Sequence, residues 1–187
     1  YADCESFVHK GVSNHQLYLL GVVSEENDSV DILNVCDPVY NNLEISREQA
    51  LVYEFLKIMT KNGKQNALVY FHNLKYDYHL LEQYLKIKKK CEKDKQLYSI
   101  TVEYKKMKIE FRDSFKLIPF GLPNFQKEFT LPKKFGKKEA ISYIYYTEEN
   151  NNKRITCEEY CKLLSKKEQE IFKHQIKGEP SYDRETQ

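Results

Sequence analysis

Two acidic side chains near the start of the chain, Asp3 and Glu5, are spaced so that both can act on one cation. In an extended strand, residues i and i+2 project to the same side, so the two carboxylates can reach a shared ion. Hard oxygen ligands of this kind suit Mg²⁺ or Mn²⁺, which complete their shells with water and phosphate oxygens. By itself the pair is weak evidence, because most acidic residues are solvated surface groups.

A second segment contains side chains that could take part in chemistry. It is VYFHNLKYDYHLL, residues 69–81, and it runs from an apolar strand through polar residues into an apolar helix. Asn73 lies where the strand ends, and its amide can hold a phosphate or a base. Asp77 falls in the first turn of the helix, where the helix dipole alone would explain an acid. From the residues alone, a metal ligand and a dipole-stabilising acid both remain open for Asp77.

Three segments of the chain resemble the exonuclease motifs of protein-primed family B DNA polymerases, the group of small tailed phages, adenoviruses, linear plasmids and mobile elements. Residues 71–77, FHNLKYD, resemble the second motif, Asn-x-x-x-Phe/Tyr-Asp. Residues 3–6, DCES, resemble the first motif, Asp-x-Glu-Thr, with Ser6 in place of the usual Thr. Residues 111–129 are similar to the Asp-Ser-Leu-x-x-Leu-Pro segment, with Phe115 replacing the usual Leu.

These segments stand in the family's order, so the resemblance covers most of residues 1–129 and is loose beyond Lys138. It implies a proofreading 3′→5′ exonuclease that belongs to a DNA polymerase and removes the 3′-terminal nucleotide with two Mg²⁺ or Mn²⁺ ions. Asp3, Glu5 and Asp77 would be the metal ligands and catalytic acids.

The resemblance also implies which residues contact DNA and which partners the chain has. Tyr76 would stack on a base of the frayed strand, and Ser6 and Asn73 would donate hydrogen bonds to that strand. For His72 a structural role at the strand end is an equally open interpretation. The implied partners are a single-stranded 3′ end, primer-template DNA and a terminal protein that primes synthesis. Lesser contacts to the strand would come from His72, Ser114 and Phe115.

Two family features fit the sequence less closely. Lys138, five residues before Tyr143, matches the spacing of a catalytic lysine near the scissile phosphate; Lys137 is an alternative, and a solvated lysine loop is the structural interpretation. The third motif, Tyr-x-x-x-Asp, should supply a fourth carboxylate, but no aspartate of the chain follows a Tyr at this spacing. We expect that the motif lies beyond Gln187 in a longer chain, or that the domain is catalytically incomplete.

The elements that must position these residues alternate between strands and helices. Their order predicts an α/β class with a mixed sheet and helices on both faces, as in ribonuclease H-like folds, although the pattern alone fits several α/β folds. We expect residues 1–177 to form one exonuclease-like domain and residues 178–187 to be a polar tail or linker. The predicted strands are 1–7, 16–23, 30–35, 67–71, 97–104 and 107–111. The predicted helices are 46–63 with caps at Ser46 and Gly63, 76–90, 122–129, and 156–173 capped by Thr156.

Composition limits the class of protein. The chain has 187 residues with 41% hydrophobic and 13% aromatic content, which favours a folded globule. The net charge is only +2, but lysines crowd residues 86–95 and 133–138, and such local patches matter more for phosphate contact than the total. The five cysteines are an odd number and are scattered, which favours reduced thiols and an intracellular protein. The Lys- and Asn-rich composition indicates an AT-rich genome, which is compatible with a viral, mobile-element or organellar-plasmid origin. No apolar run is long enough to cross a membrane.

Other functions remain open from the sequence. The domain could grip single-stranded DNA or a priming protein without catalysis, its acids being vestigial. It could also be a free-standing ribonuclease H-like exonuclease that acts on RNA. A cysteine or serine hydrolase has little support, because no Cys or Ser stands in a nucleophile elbow.

Overall fold

The computed structural model describes residues 1–8, 15–24, 27–131, 145, 150 and 153–175. Its strands are β1 (Ala2–Val8), β2 (His15–Ser24), β3 (Asn27–Asn34), β4 (Ala67–Phe71), β5 (Ile87–Lys93), β6 (Gln96–Tyr104) and β7 (Met107–Asp113). Its helices are α1 (Arg47–Met59), α2 (Leu74–Leu81), α3 (Leu122–Glu128), α4 (Cys157–Lys162) and α5 (Lys166–Gln175). The segments 132–144 and 178–187, with the predicted catalytic Lys138 and the predicted tail, lie outside the described residues.

The strands form two hydrogen-bonded sheets, ordered β1-β2-β3 and β4-β7-β6-β5. In the second sheet β4 and β7 are parallel, whereas β7 with β6 and β6 with β5 are antiparallel. The predicted mixed α/β fold is therefore confirmed. Because β4 and β7 run parallel, their carboxyl ends meet at one edge, where Phe71 is the register partner of Asp113.

Helices α1 and α2 cover the apolar side of these strands. Phe55 of α1 packs its ring against Phe71 and Phe111, with ring centroids 6.3 and 5.9 Å apart. Helix α2 contacts β2, β4, β6 and β7 and buries Leu74 and Leu81 completely. Burial of each such side chain contributes about 1.5–3 kcal/mol, so this cluster fixes the position of α2 against the strands.

The caps of α1 show how far local sequence determines the helix. Ser46 is the N-cap, as predicted, and its hydroxyl accepts a hydrogen bond from the Gln49 N–H at 3.1 Å. The helix ends at Met59 with Thr60 as its cap, so the predicted cap at Gly63 is wrong. Gly63 instead has a φ of 78° in the turn that follows, a conformation that glycine adopts at no steric cost.

Ser46→Ala is expected to lower the free energy of unfolding by about 1 kcal/mol, since it leaves a first-turn N–H of α1 without its acceptor. Ser46→Asp is the matched control, because it keeps an acceptor at the same position and adds a charge that the helix dipole favours. Urea denaturation of the three proteins would measure the difference. Equal losses in both variants would show that the capping bond contributes nothing.

Two predicted helices have different bounds in the structure. The predicted helix over 76–90 is wrong in its second half, because α2 ends at Leu81 and residues 87–93 form β5. The lysine-rich run has no apolar period to separate helix from strand, and pairing with β6 decides its conformation. All seven residues of β5 are exposed at the edge of the sheet; Lys88 of this strand and the preceding Lys86 form ion pairs with Glu103.

The second difference is that the predicted helix over 156–173 is two helices, α4 and α5. Thr156 caps the first, as predicted, through a reciprocal pair of bonds with Glu159. Ser165 starts the second in the same way, since its hydroxyl accepts from the Glu168 N–H and the Glu168 carboxylate accepts from the Ser165 N–H at 2.9 Å. A second capping box therefore divides the segment.

The described residues divide into two compact units, one of residues 1–6 and 15–120 and the other of residues 7–8 and 121–175. The second unit has its own buried cluster, made of Tyr145, Tyr160, Leu164 and Phe172. Among the described helices, none has the length and apolar character needed to pass through a bilayer.

Candidate active site

The first two predicted acids lie on β1 with their side chains on the outer side of the strand. Ala2, Cys4 and Ser6 are buried, whereas Asp3 is exposed and Glu5 is half-buried. This alternation follows from the two-residue period of a strand. Asp3 and Glu5 therefore share one side, as their spacing predicted.

Asp77 is carried to β1 by the turn between β4 and α2. Asn73 begins this turn in the left-handed region, with a φ of 72°, which asparagine tolerates better than most residues. Asp77 then falls in the first turn of α2, is only 2% exposed, and accepts a hydrogen bond from the Cys4 N–H at 2.9 Å. This bond joins α2 to the middle of β1, between Asp3 and Glu5.

The electrostatics show that Asp3 and Asp77 interact. Burial and then the charge of Asp3 raise the pKa of Asp77 to about 7, against the opposing effect of the Cys4 N–H. Partial loss of hydration raises the pKa of Asp3 as well, although this residue lies at the surface. The two carboxylates disfavour each other's ionised form, and a bound cation would remove that repulsion.

The donor set fits a divalent cation in chemical type, since Asp3, Glu5 and Asp77 offer the hard oxygen atoms that Mg²⁺ and Mn²⁺ prefer. Among the described residues, however, no three His, Cys, Asp or Glu side chains are already gathered closely enough to hold a metal ion. Asp3 and Asp77 form the interacting pair, and Glu5 shares the side of Asp3 without completing a group of three.

The residues predicted to contact a DNA strand include a hydrogen-bonded pair at this site. The Ser6 hydroxyl lies 2.7 Å from the Tyr76 hydroxyl, and the Tyr76 ring remains 41% exposed. Sequence reasoning missed His15, whose Nδ1 lies 2.8 Å from the same Ser6 oxygen. Its position opposite the end of β1 is set by the pairing of β1 with β2, which no local pattern in the sequence reports.

Asp113 is a second residue to which the sequence assigned no role. It is 4% exposed, and its Oδ1 accepts hydrogen bonds from the N–H groups of Asn73 and Phe115, each at 3.0 Å. One carboxylate oxygen thus joins the turns that follow β4 and β7. The available signal was an acid directly after an apolar strand, at the start of the 113–115 segment (DSF).

The remaining predicted DNA contacts lie in these same turns and contact each other. His72 has Nδ1 3.2 Å from the Ser114 hydroxyl and Nε2 2.9 Å from the Phe120 carbonyl, and its ring meets Phe115 edge-on. The Ser114 hydroxyl is also 3.0 Å from the Phe71 carbonyl. These contacts give His72 and Ser114 a structural role at the strand end, besides any contact they make with DNA.

Comparison with solved structures shows a shared fold. Phi29 DNA polymerase complexed with primer-template DNA (post-translocation binary complex) is 21% identical with a TM-score of 0.52, over 98% of this chain and 32% of the polymerase. Phi29 DNA polymerase complexed with single-stranded DNA is 20% identical with a TM-score of 0.48, over 80% and 27% of the two chains. This chain therefore spans about a third of the polymerase with the higher score (32%).

Comparison with sequences gives the family. No curated protein matches the chain significantly. The family model for DNA polymerase type B, organellar and viral, matches residues 58–186, a range that is more than half of the chain and includes Asp77 and Asp113. The chain therefore belongs to the organellar and viral family of type B DNA polymerases.

Proposed function

We propose that this chain is the 3′→5′ exonuclease part of a protein-primed type B DNA polymerase, and that it hydrolyses the 3′-terminal nucleotide of a frayed primer strand. One observation carries the proposal: the Cys4 N–H holds a buried Asp77 beside β1, where the charge of Asp3 helps to raise the Asp77 pKa to about 7. A buried carboxylate whose pKa is raised partly by an exposed neighbour, with the half-buried Glu5 on the same strand as that neighbour, is the pattern of a functional site.

Each acid has a separate role in the proposed reaction. Asp3 would help to hold both divalent ions, Glu5 would hold the ion that activates the attacking water, and Asp77 would hold the ion that stabilises the leaving 3′ oxygen. Two bound Mg²⁺ or Mn²⁺ ions would supply Lewis acidity and neutralise charge on the oxygens of the displacement. The protein's own contribution is orientation, because the Cys4 N–H fixes one oxygen of Asp77.

The exposed groups around the acids suit a single strand of DNA. The half-exposed ring of Tyr76 offers a face on which a base can stack, and the Ser6 hydroxyl lies against its oxygen. The side chain of Asn73 is exposed and makes no capping bond to α2, so its amide is available to a phosphate or base. Asp113 fixes the backbone of Asn73 and therefore the point from which this side chain projects.

Cleavage of a single-stranded oligonucleotide that carries a fluorophore at its 5′ end tests the proposal. With Mg²⁺ or Mn²⁺ we expect stepwise shortening from the 3′ end, and no shortening when that end is chemically blocked. Asp3→Asn and Glu5→Gln should each slow the reaction by at least about a hundredfold, since even the outer partners of metal ligands cost about 10- to 100-fold. Glu44→Gln, which changes an exposed acid outside the site, is the matched control.

A second candidate function is a domain that binds the strand or a terminal protein without cleaving DNA. It is favoured by one observation: among the described residues no three-ligand metal group is preformed. Oligonucleotide binding without cleavage, together with no stabilisation by Mn²⁺ in thermal unfolding, would establish this function and reject the exonuclease.

A further inference from the structure

The buried hydroxyl of Ser6 stands in the middle of a chain of three polar groups. It lies 2.7 Å from the Tyr76 hydroxyl and 2.8 Å from His15 Nδ1. The His15 and Tyr76 rings also meet nearly at right angles, with centroids 5.9 Å apart and planes at 85°. His15 thus contacts both Ser6 and Tyr76, two residues that the proposed function places against the DNA strand.

We propose that His15 is a positioning residue, which sets the direction of the hydrogen bonds through Ser6 and so determines what the Tyr76 hydroxyl offers to DNA. The idea rests on the proposed function, because it takes Tyr76 as a strand contact. Ser6 is only 9% exposed, so water competes poorly for its hydroxyl and its two protein partners decide its orientation.

The number of available hydrogen atoms allows two donor–acceptor directions for the hydrogen bonds that link His15, Ser6 and Tyr76. Ser6 and Tyr76 each carry one hydroxyl hydrogen. If His15 Nδ1 has no hydrogen, Ser6 donates to it and accepts from Tyr76, whose oxygen then faces outward only as an acceptor. If Nδ1 carries a hydrogen, His15 donates to Ser6, Ser6 donates to Tyr76, and the Tyr76 O–H is released to donate to a ligand.

A DNA strand selects between these two directions. Phosphate oxygens and sugar ring oxygens accept hydrogen bonds and cannot donate them, so the backbone of a strand presents acceptors. Tyr76 can bond to such an acceptor only in the second direction, which needs a hydrogen on His15 Nδ1. When DNA is bound, His15 Nδ1 should therefore carry a hydrogen and donate it to Ser6.

Three substitutions of His15 distinguish its N–H donor from its ring contact with Tyr76. His15→Asn keeps a short N–H donor near the position of Nδ1. His15→Phe keeps a ring against Tyr76 but has no donor, and His15→Asp offers Ser6 only an acceptor at neutral pH. Affinity is measured by fluorescence anisotropy with a short fluorescein-labelled oligothymidylate that has a free 3′ end, in the absence of divalent ions.

We expect His15→Phe and His15→Asp to weaken binding by about 3- to 10-fold, the effect of one net hydrogen bond, and His15→Asn to stay within about twofold of wild type. In a Tyr76→Phe background, His15→Phe should cause no further loss, because the two residues act through one hydrogen-bonded chain. The ¹⁵N chemical shift of His15 Nδ1 in the bound protein should report an attached hydrogen.

The outcomes distinguish this role from the proposed function. A wild-type chain that does not bind the oligonucleotide would reject the strand site, and the role of His15 with it. The role of His15 alone would be overturned if His15→Phe and His15→Asp bound the oligonucleotide as tightly as wild type, or if His15→Asn lost as much affinity as they do. It would also be overturned if His15 Nδ1 carried no hydrogen in the bound protein. A loss in His15→Phe that is undiminished in the Tyr76→Phe background would overturn it as well.

Discussion

Asp77→Asn is expected to abolish metal-dependent shortening of a 3′ end while stabilising the metal-free fold at neutral pH. Asparagine has nearly the same volume, and its amide oxygen can still accept the hydrogen bond from the Cys4 N–H. The substitution removes the carboxylate charge that the proposed reaction requires, so cleavage should fall by at least about a hundredfold. Mn²⁺ should raise the unfolding temperature of wild type at pH 8 and leave that of the variant unchanged.

The stability gain has a definite pH window. Burial and the charge of Asp3 raise the pKa of Asp77 from its ordinary value of 3.8 to about 7, so in this interval the folded chain holds a proton that the unfolded chain releases. This contribution to stability is complete below pH 3.8 and is lost as the pH rises through about 7, a fall on the order of 4 kcal/mol. Asp77→Asn does not titrate, so the fall should be absent from the variant.

The measurement is the free energy of unfolding of wild type minus that of Asp77→Asn, followed by denaturant titration at several pH values with a chelator present. Asp31→Asn is the matched control, because Asp31 is an exposed acid on β3. The free energy of unfolding of this variant should change with pH in the same way as that of wild type. Parallel pH profiles for wild type and Asp77→Asn would contradict the raised pKa of the buried Asp77 and, with it, the basis of the proposed metal site.

Asp113→Ala is expected to lower the free energy of unfolding by about 3 kcal/mol and to weaken strand binding. Its Oδ1 accepts from the N–H groups of Asn73 and Phe115, and a hydrogen bond to a charged group contributes about 1.5–3 kcal/mol; the low end applies to each of these two bonds because both are only partly buried. Without it, the turns after β4 and β7 lose their shared partner, and the backbone that carries the Asn73 side chain is no longer held in place. Chemical denaturation and oligonucleotide anisotropy would measure the two effects.

Asp113→Asn separates the acceptor from the charge, since its amide oxygen can still receive both N–H groups. We expect it to retain most of the stability, with a loss of about 1 kcal/mol from the weaker neutral acceptor. If Asp113→Ala were as stable as wild type, water would satisfy both donors and the carboxylate would not be needed to hold the two turns together.

Local patterns in the sequence were sufficient to predict most strands and the side on which Asp3 and Glu5 lie. The two-residue period of β1 is a property of any extended segment, and the apolar runs of β2 and β4 mark buried strands. They could not predict β5, because the lysine-rich segment after α2 is equally compatible with a helix and becomes a strand only by pairing with β6.

The unpredicted parts of the candidate site depend on contacts between distant segments. Asp113 reaches Asn73 because β4 and β7 are parallel neighbours, although 40 positions separate the two residues in the chain. His15 reaches Ser6 through the pairing of β1 with β2. The capping box at Ser165 and Glu168 has a sequence signature, but polar positions do not interrupt a helical period, so the period alone predicts one continuous helix there.

The exposed edge formed by β5 also affects how separate molecules meet. An outer strand leaves a row of backbone N–H and C=O groups ready to pair with another chain, which is a common start of aggregation. Here every residue of that strand is exposed, and four of the seven are lysines. When two such edges approach each other, their positive charges repel, and this repulsion opposes edge-to-edge pairing of two molecules. Added salt screens the charges and weakens the repulsion.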